Sequence, residues 1–324
     1  LEYPVLEGLI MAKNKVQFQK SMNIHAFIQR YGSEDLCLQR LFDIRWPQGF
    51  RCPNCGHTHH CKLHSRSVYQ CNQCHQQTSL TAGTIFAYSK LPLTIWFLAI
   101  YLITQEKNGV SALELSRSLG ISYNATWRLK HKLMQAMKER DDEVQLSGII
   151  QLDDAYWGGA RTGKVGRGAA GKRPFVAAVS LNEEGHPNLM RFSAVEGFKK
   201  KELTQWAKKH LWPSSLVVSD GLACFRGIEE ANSFHLGIVT GGGPDSVKLP
   251  YFKWVNTMIS NVKNSIHGTY HAINQKHLPR YLAEFSFKFN HRFNLEWMVT
   301  DLARAGIRTA PMPQRLLKLA ESRW

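Results

Sequence analysis

The stretch IQLDDAYWGG, residues 150 to 159, joins an apolar run to a carboxylate pair and then to an aromatic-glycine turn. The apolar positions predict a buried strand, and Asp153 and Asp154 come at its end. A carboxylate at the mouth of a core strand is held rigidly, as a metal ligand must be. The alternative is a strand followed by an ordinary acidic turn, which Gly158 and Gly159 would cap. The rest of the chain decides between these two interpretations.

A second strand-like segment, SLVVSDG at residues 215–221, also ends with an aspartate, Asp220. Three segments between the two are predicted to be regular: strands at residues 175–181 and 189–195 and an amphipathic helix at 199–211. Strands in sequence, followed by a helix that crosses to another strand, favour a mixed sheet flanked by helices. The fold class is therefore α+β or α/β, with Asp153 and Asp220 at strand ends.

A predicted helix at residues 254–266 adds the third element of the candidate site. Its apolar residues recur at helical spacing and are expected to face the sheet: Val255, Met258, Ile259, Val262 and Ile266. Asn256 and Lys263 are seven residues apart, hence two turns apart and nearly in line on a neighbouring face. The alternative is that Asn256 and Lys263 form the polar border of an ordinary amphipathic helix. Only the presence of Asp153 and Asp220 at predicted strand ends argues against this alternative. A final helix is predicted at residues 278–290.

Four of the seven cysteines form two knuckles, Cys52 with Cys55 and Cys71 with Cys74, in the segments CPNC and CNQC. Fifteen residues separate the inner pair, which is the spacing of a zinc ribbon. Each two-residue gap lets two thiolates converge on one ion, so the four cysteines are predicted to hold a structural Zn²⁺. Reduced core cysteines and disulfides are the alternatives. Other residues could compete as ligands, namely Cys61, His57, His59, His60, His64 and His75.

The segment from Ser111 to Met137 has the pattern of a helix-turn-helix, in which Ser111 and Ser122 begin the helices and Gly120 ends the first. The exposed face of the second helix is predicted to be basic and suited to phosphates and base edges: Arg128, Lys130, His131 and Lys132. A helical hairpin with an ordinary solvated face is the alternative. The basic, glycine-rich loop at residues 161–173 is either a second DNA contact or a solvated hairpin tip, and its candidate residues are Arg161, Lys164 and Arg167.

The composition favours a polyanionic partner. The 324 residues include 41 Lys and Arg against 25 Asp and Glu, which leaves a formal charge of +16 spread along the chain. The length allows more than one domain, and the hydrophobic content of 44% indicates a globular protein. No apolar run approaches the roughly 18 residues of a membrane span, so a soluble protein is expected. Residues 1–10 precede Met11 without the features of a signal peptide, which suggests upstream translation.

In these motifs the chain resembles the bacterial insertion-sequence transposases that join an N-terminal zinc ribbon to an RNase H-like catalytic domain of the Asp-Asp-Glu/Asn type. CPNC and CNQC are similar to the family's ribbon, LDDAYWGG to its first-aspartate motif and VVSDG to its second. WVNTMISNVKNSIHGTYH with KHLPRYLAEFSFKFNHR is similar to its C-terminal signature, and the resemblance covers about residues 30–295. Asp-Asp-Ala departs from the commoner Asp-Glu-Thr, and the third position is Asn, as in one branch of the family.

The resemblance implies a triad of Asp153, Asp220 and Asn256 with Lys263 as the associated basic residue, and it places Asp154 beside the site. Cleavage of DNA and transfer of its 3′ hydroxyl to a new phosphate can use two Mg²⁺ ions about 4 Å apart. Asp153 would be shared by both ions and Asp220 would bind one. Asn256 would offer the second ion a neutral carbonyl oxygen, and Lys263 would hold a phosphate as a point charge.

Five parts follow from the motifs: an N-terminal helical segment (residues 1–45), a zinc ribbon (46–88), a helix-turn-helix-like segment (89–143), the RNase H-like domain (144–300) and a C-terminal tail (301–324). The expected partner is double-stranded DNA, both element ends and target, and no membrane. At least a homodimer is expected because two ends must be held together. The expected location is the cytoplasm of a bacterium, in association with the nucleoid.

Three competing functions stay open from the sequence. A catalytically inactive, domesticated DNA-binding regulator would use the ribbon and the helix-turn-helix alone, and Asn256 keeps this alternative open. A nuclease or resolvase of the same fold would cut DNA without joining it. A glycosidase with paired carboxylates is more remote, because the basic charge and the ribbon argue against it.

Overall fold

The N-terminal part of the chain combines helices with a three-stranded ribbon. The structure is a computed structural model that describes residues 19–63, 66–158, 171–239 and 249–320, so the interpretation of residues 1–10 lies outside the described residues. In chain order the elements are α1 (Ile24–Tyr31), α2 (Glu34–Arg45), β1 (His60–Leu63), β2 (Val68–Cys71), β3 (Gln77–Ser79), α3 (Leu93–Gln105), α4 (Ala112–Leu119) and α5 (Tyr123–Asp142). The antiparallel ribbon β1–β2–β3 brings the two cysteine knuckles together.

α4 and α5 are the two helices predicted from the capping signals. The Ser111 hydroxyl accepts a hydrogen bond from the Glu114 amide at 3.1 Å, and the Ser122 hydroxyl accepts one from the Ala125 amide at 3.3 Å. Gly120 ends α4 at φ 64°, in the left-handed region that glycine adopts without a Cβ clash. Local side-chain chemistry therefore sets these helix boundaries.

A five-stranded mixed sheet forms the centre of the second part. Its elements are β4 (Ile149–Trp157), β5 (Arg173–Leu181), β6 (Pro187–Ala194), α6 (Lys200–His210), β7 (Leu216–Ser219), a 3₁₀ segment (Ala223–Ala231), β8 (Phe234–Gly237), α7 (Lys253–Tyr270) and α8 (Leu278–Asn290). The strand order is β6-β5-β4-β7-β8, in which β4, β5 and β6 are antiparallel while β7 and β8 run parallel to β4. This order and these directions make an RNase H-like sheet, and the predicted fold is confirmed.

Side chains on the strands alternate between the two faces of the sheet and build two cores. On β5, Phe175 and Ala177 belong to the core that α7 and α8 cover. Val176 and Ala178 belong to the core on the other face, which α6 and the 3₁₀ segment cover. Because both faces are covered, the parts of β4 and β7 next to the aspartates are held in fixed positions.

The predicted end of β4 and the predicted C-terminal tail are both wrong. β4 continues to Trp157, beyond the predicted strand end at Leu152, because β5 pairs with it as far as Trp157 and Arg173. The segment predicted as a C-terminal tail includes most of α9 (Met298–Arg308) and all of α10 (Gln314–Leu319), and α9 packs into the N-terminal core. Within the described ranges, no helix is both long and apolar enough to cross a membrane.

Candidate functional site

The candidate catalytic site lies where β7 ends beside its parallel neighbour β4, which continues to Trp157. The last pair in their register joins Gln151 to Val218, and Asp153 and Asp220 each come two residues later. Because the strands run parallel, both carboxylates emerge at the same edge of the sheet. One carboxylate oxygen each from Asp153, Asp154 and Asp220 lies within 4.8 Å of the others, and all three residues are half-buried. The structure therefore brings two predicted ligands together with a third acid.

Asp154 belongs to this acidic cluster, although it is predicted to lie beside the site. Neighbouring residues of a regular strand point to opposite faces, so two consecutive aspartates are not expected to converge. Here the Asp153 carboxylate accepts a hydrogen bond from the Asp154 amide at 2.8 Å, so the Asp153 side chain turns along its own backbone toward the next residue. The sequence signal for Asp154 is the acidic pair itself, placed just beyond the end of a parallel neighbouring strand.

A tight turn after β7 holds Asp220. Its carboxylate accepts a hydrogen bond from the Leu222 amide at 3.1 Å, and Gly221 between them has φ 79°. The positive φ favours glycine at this position, and a Cβ there would lie 3.2 Å from the exposed Val239 side chain. These constraints explain why glycine follows the aspartate in the motif VVSDG.

Gln151 connects β4 to α7, the helix that carries Asn256 and Lys263. This residue was not predicted from the sequence. Its side-chain carbonyl accepts hydrogen bonds from the backbone amides of Trp254 and Val255 at 2.9 and 3.1 Å. Its amide nitrogen donates to a backbone carbonyl just before the helix at 3.1 Å. Amides in the first turn of a helix have no partner within the helix, so Gln151 caps α7 and fixes it against β4. In the sequence, the feature that could have indicated this role is a polar residue inside an otherwise apolar strand.

Asn256 and Lys263 lie on α7 as predicted, separated by two turns. The Asn256 amide nitrogen donates to the Phe252 carbonyl at 3.0 Å, so its carbonyl oxygen is the atom suited to bind a cation. Burial lowers the pKa of the Lys263 ammonium, while the carboxylates of Asp153 and Asp154 oppose this shift. The Lys263 ammonium thus lies in the electric field of the acidic cluster and offsets part of its charge.

The donor set of the acidic cluster fits a hard divalent cation. All its ligand atoms are carboxylate oxygens, and oxygens about 2.1 Å from one Mg²⁺ lie up to about 4.2 Å apart. Oxygens that already lie within 4.8 Å of one another need only small side-chain movements to close on such an ion. Neighbouring carboxylates repel one another when no cation lies between them, which is a further reason to expect one here.

The four knuckle cysteines form a second candidate metal centre. Their sulfurs all lie within 4.8 Å of one another, at 3.5 Å for Cys52 and Cys74 and 3.6 Å for Cys55 and Cys71. Four thiolates at about 2.3 Å around a tetrahedral zinc ion lie about 3.8 Å apart, so the donor set fits Zn²⁺. Of the competing ligands, Cys61, His57, His59, His60 and His75 do not join this cluster, and His64 lies outside the described residues.

We predict that removal of zinc unfolds the ribbon, because metal-binding energy is folding energy in a domain this small. A chelator, or Cys55→Ser, should lower the melting temperature of the N-terminal part by roughly 10 °C or more. Metal analysis and thermal unfolding with and without the chelator measure this effect. Cys61→Ser is the matched control because Cys61 is exposed and outside the cluster. Zinc-free protein with an unchanged melting curve would contradict the prediction.

The basic residues predicted to contact DNA do not all lie on one surface. Arg128 is exposed on α5, where it donates to the Gln314 side chain at 3.0 Å, and Lys132 is half-buried. The predictions for Lys130 and His131 are wrong, because each residue is only 1% exposed. The Lys130 ammonium pairs with Glu284 at 3.0 Å. It is buried because α8 covers a second face of α5. Three candidates of the basic loop lie outside the described residues: Arg161, Lys164 and Arg167.

Comparison with known proteins identifies both parts of the chain. Residues 32–77 match the family described as a transposase zinc-ribbon domain, and residues 145–290 match the ISXO2-like transposase domain. A protein described as uncharacterized, in the transposable element ISH50 of Halobacterium salinarum, is 28% identical over 132 residues. This match spans 40% of the chain and 44% of the relative, so the chain covers less than half of that relative's length.

Two solved structures are weakly similar. They are a pre-cleavage Mos1 transpososome (TM-score 0.20, 11% identity) and the Mos1 strand transfer complex (TM-score 0.21, 12% identity), each matched over 64% of this chain and 78% of the other. Such TM-scores support no conclusion about this chain. The two domain matches contain the four knuckle cysteines and the acidic cluster. Residues 32–77 therefore form a transposase zinc-ribbon domain, and residues 145–290 form an ISXO2-like transposase domain.

Proposed function

We propose that this protein is the active transposase of an insertion sequence, which binds the terminal repeats of its element and catalyses Mg²⁺-dependent DNA cleavage and strand transfer. The observation that carries this proposal is the acidic cluster at one edge of the sheet, with the Lys263 ammonium in its field. The carboxylates can bind cations, and the Lys263 ammonium adds a positive charge beside them. Both suit a phosphodiester substrate, because its negative charge must be neutralised before an oxygen nucleophile can attack it.

Each residue of the site has a proposed role. Bound Mg²⁺ would activate the nucleophile and neutralise charge on the phosphoryl group and on the leaving oxygen. Asp153 would hold both ions and Asp220 one of them, with Asp154 adding negative charge to the same pocket. Asn256 would contribute a neutral carbonyl oxygen to the second ion, which is a weaker ligand than a carboxylate. Lys263 would donate to a phosphate oxygen and so position the reacting phosphate.

The same proposal includes the DNA contacts. Arg128 and Lys132 on α5 would contact the duplex, together with the three basic residues of the loop, Arg161, Lys164 and Arg167. The formal charge of +16 supports binding through phosphates, which should weaken steeply with salt. Two ends must be held together for transfer, so at least a homodimer would act on DNA, in the nucleoid of the cytoplasm.

A plasmid assay tests the proposed reaction. Purified protein is incubated with a supercoiled plasmid that carries the gene and its flanking DNA, in Mg²⁺ or in chelator, and the cut sites are mapped. We expect cuts at two inverted ends and joining of the new 3′ ends to a second plasmid, both of which the chelator abolishes. Ends that are cut but never joined would indicate a nuclease, and cuts scattered outside the ends would contradict specific recognition.

An inactive DNA-binding regulator is the second candidate, and Asn256 is the residue that favours it. A neutral amide gives the second cation less binding energy than a carboxylate would. The regulator and the transposase differ in the same assay. A regulator retards end-containing DNA in a gel but yields no Mg²⁺-dependent cut.

A further inference from the structure

A groove opens between two segments of the N-terminal part and the segment that contains α10, and it shares no residue with the acidic cluster. Its volume is about 830 Å³, and its walls are the turn at residues 87–91, the first half of α5 and residues 311–317. Leu129, Met312 and Leu317 supply apolar surface inside it. Sites that hold small organic ligands are of this size and are mainly apolar with a few polar groups.

Tyr88 lies at the rim of this groove with its backbone in the left-handed region. Its side chain is 97% exposed, more than any other large hydrophobic side chain in the described ranges, and its φ is 58°. The preceding residues are buried, and the Lys132 ammonium donates to the Ile85 carbonyl at 3.0 Å. On the other side, the Ser89 hydroxyl accepts a hydrogen bond from the Trp96 indole at 3.1 Å. A bulky residue in the left-handed region is strained, and this one gains no burial in return.

The charged residues around the groove favour an anion. Lys90, Arg128 and Lys132 line it, and none of its described lining residues is acidic. Burial lowers the pKa of the Lys132 ammonium, and the charge of Arg128 lowers it further, so these two cations lie close to each other. A phosphate oxygen bound between them would relieve this repulsion.

We propose that this groove binds one unpaired nucleotide of the DNA substrate, with its base stacked on Tyr88 and its phosphate held by Arg128 and Lys132. The inference rests on the proposed function, since it requires that the protein binds DNA. Aromatic rings beside cations are the means by which proteins hold single-stranded bases. A base within a duplex is covered by its neighbours, so only a base that has left the stack can reach the ring.

Binding of two matched DNA probes tests this site. One is a blunt duplex, and the other is the same duplex with a short 3′ overhang that contains 2-aminopurine. Wild-type protein should bind the overhang duplex about 5- to 100-fold more tightly, which is the effect of one stacked base, and should quench the 2-aminopurine fluorescence. Tyr88→Phe should keep both effects because it keeps the ring.

Tyr88→Gly separates binding from folding. Glycine adopts a positive φ without strain, so this variant should melt at the wild-type temperature or above it while losing the overhang preference and the quenching. Trp212→Ala is the matched control because Trp212 is another exposed aromatic residue, 60% exposed and outside the groove, and it should behave as wild type. If Tyr88→Gly does not fold, the quenching of 2-aminopurine by wild-type protein and by Tyr88→Phe tests the site instead. Absence of quenching in both proteins would overturn it.

Two negative results have different meanings. Equal affinity of wild-type protein for both probes, or an overhang preference that survives in Tyr88→Gly, would overturn the nucleotide site and leave the proposed function intact. Absence of binding to either probe would overturn the proposed function together with the site.

Discussion

Asp153→Asn and Asp220→Asn proteins will each cleave element ends about a thousandfold more slowly than wild type, or slower still, while they continue to bind them. Both substitutions keep the shape of the side chain and remove a charged ligand from the acidic cluster. Metal assistance contributes several kcal/mol to reactions of this kind, and about 1.4 kcal/mol corresponds to a tenfold change in rate. Single-turnover cleavage of end-containing DNA in Mg²⁺ measures the loss, and a gel-shift assay measures binding.

Asp43→Asn is the matched control for these variants. Asp43 is partly exposed on α2, and its nearest basic group, the Arg40 guanidinium, is 3.9 Å away. The control should therefore cleave at the wild-type rate. Wild-type cleavage by Asp153→Asn or Asp220→Asn would remove the acidic cluster from the mechanism, whatever the family of the chain.

Glu284→Gln will destabilise the folded protein by about 3–5 kcal/mol. The Glu284 carboxylate, 3% exposed, accepts hydrogen bonds from the Lys130 ammonium at 3.0 Å and from the Tyr270 hydroxyl at 2.9 Å. Glutamine preserves the volume but leaves the buried ammonium without a counter-charge, which is why the expected loss is large. Denaturant unfolding gives the change in the free energy of unfolding.

The effect of Glu284→Gln should depend on pH. Burial raises the pKa of Glu284, but the charges of Lys130 and Lys288 outweigh burial, and the pKa lies below that of an ordinary glutamate. A pKa lowered by folding means that the stabilisation is present above the unfolded pKa and is lost as the pH falls through the folded pKa. The difference between wild type and variant should therefore shrink in acid, and a constant difference would contradict this explanation.

A surface pair provides the control for that comparison. Glu296 pairs with Arg30 at 2.9 Å, and both side chains are about one-third exposed. Glu296→Gln should cost less than about 1 kcal/mol because water screens such a pair. Equal losses in the two variants would show that burial of the Lys130 and Glu284 pair does not determine its contribution.

Features that depend on neighbours in sequence could be predicted without the structure. The cysteine spacing of the ribbon and the Ser111, Gly120 and Ser122 signals of α4 and α5 are of this kind, and the structure has the corresponding knuckles and caps. Runs of apolar residues likewise predicted β4 and β7, although β4 continues past Asp153 to Trp157. In each case a few adjacent residues determine the local conformation.

Features that depend on distant partners could not be predicted. Lys130 has the helical position of a surface residue relative to Leu129, but α8 covers it and Glu284, 154 residues later in the chain, neutralises it. Asp154 follows the alternation of a strand in sequence, yet its carboxylate joins the acidic cluster because the Asp153 side chain bends toward it. The burial of Lys130 and the position of the Asp154 carboxylate both depend on residues that are neighbours only in the folded structure. The periodicity of the sequence does not predict such neighbours.

α9 has a consequence for how the protein is made. It packs against α2, α3 and α5, although more than 250 residues separate α2 from α9. During translation those early helices therefore emerge long before the helix that covers their apolar surface. A nascent chain can complete the sheet of the catalytic domain while its N-terminal core is still open. The N-terminal part, which is proposed to bind element ends, therefore completes its folding last. During translation the acidic cluster would form before the DNA-binding surface is complete.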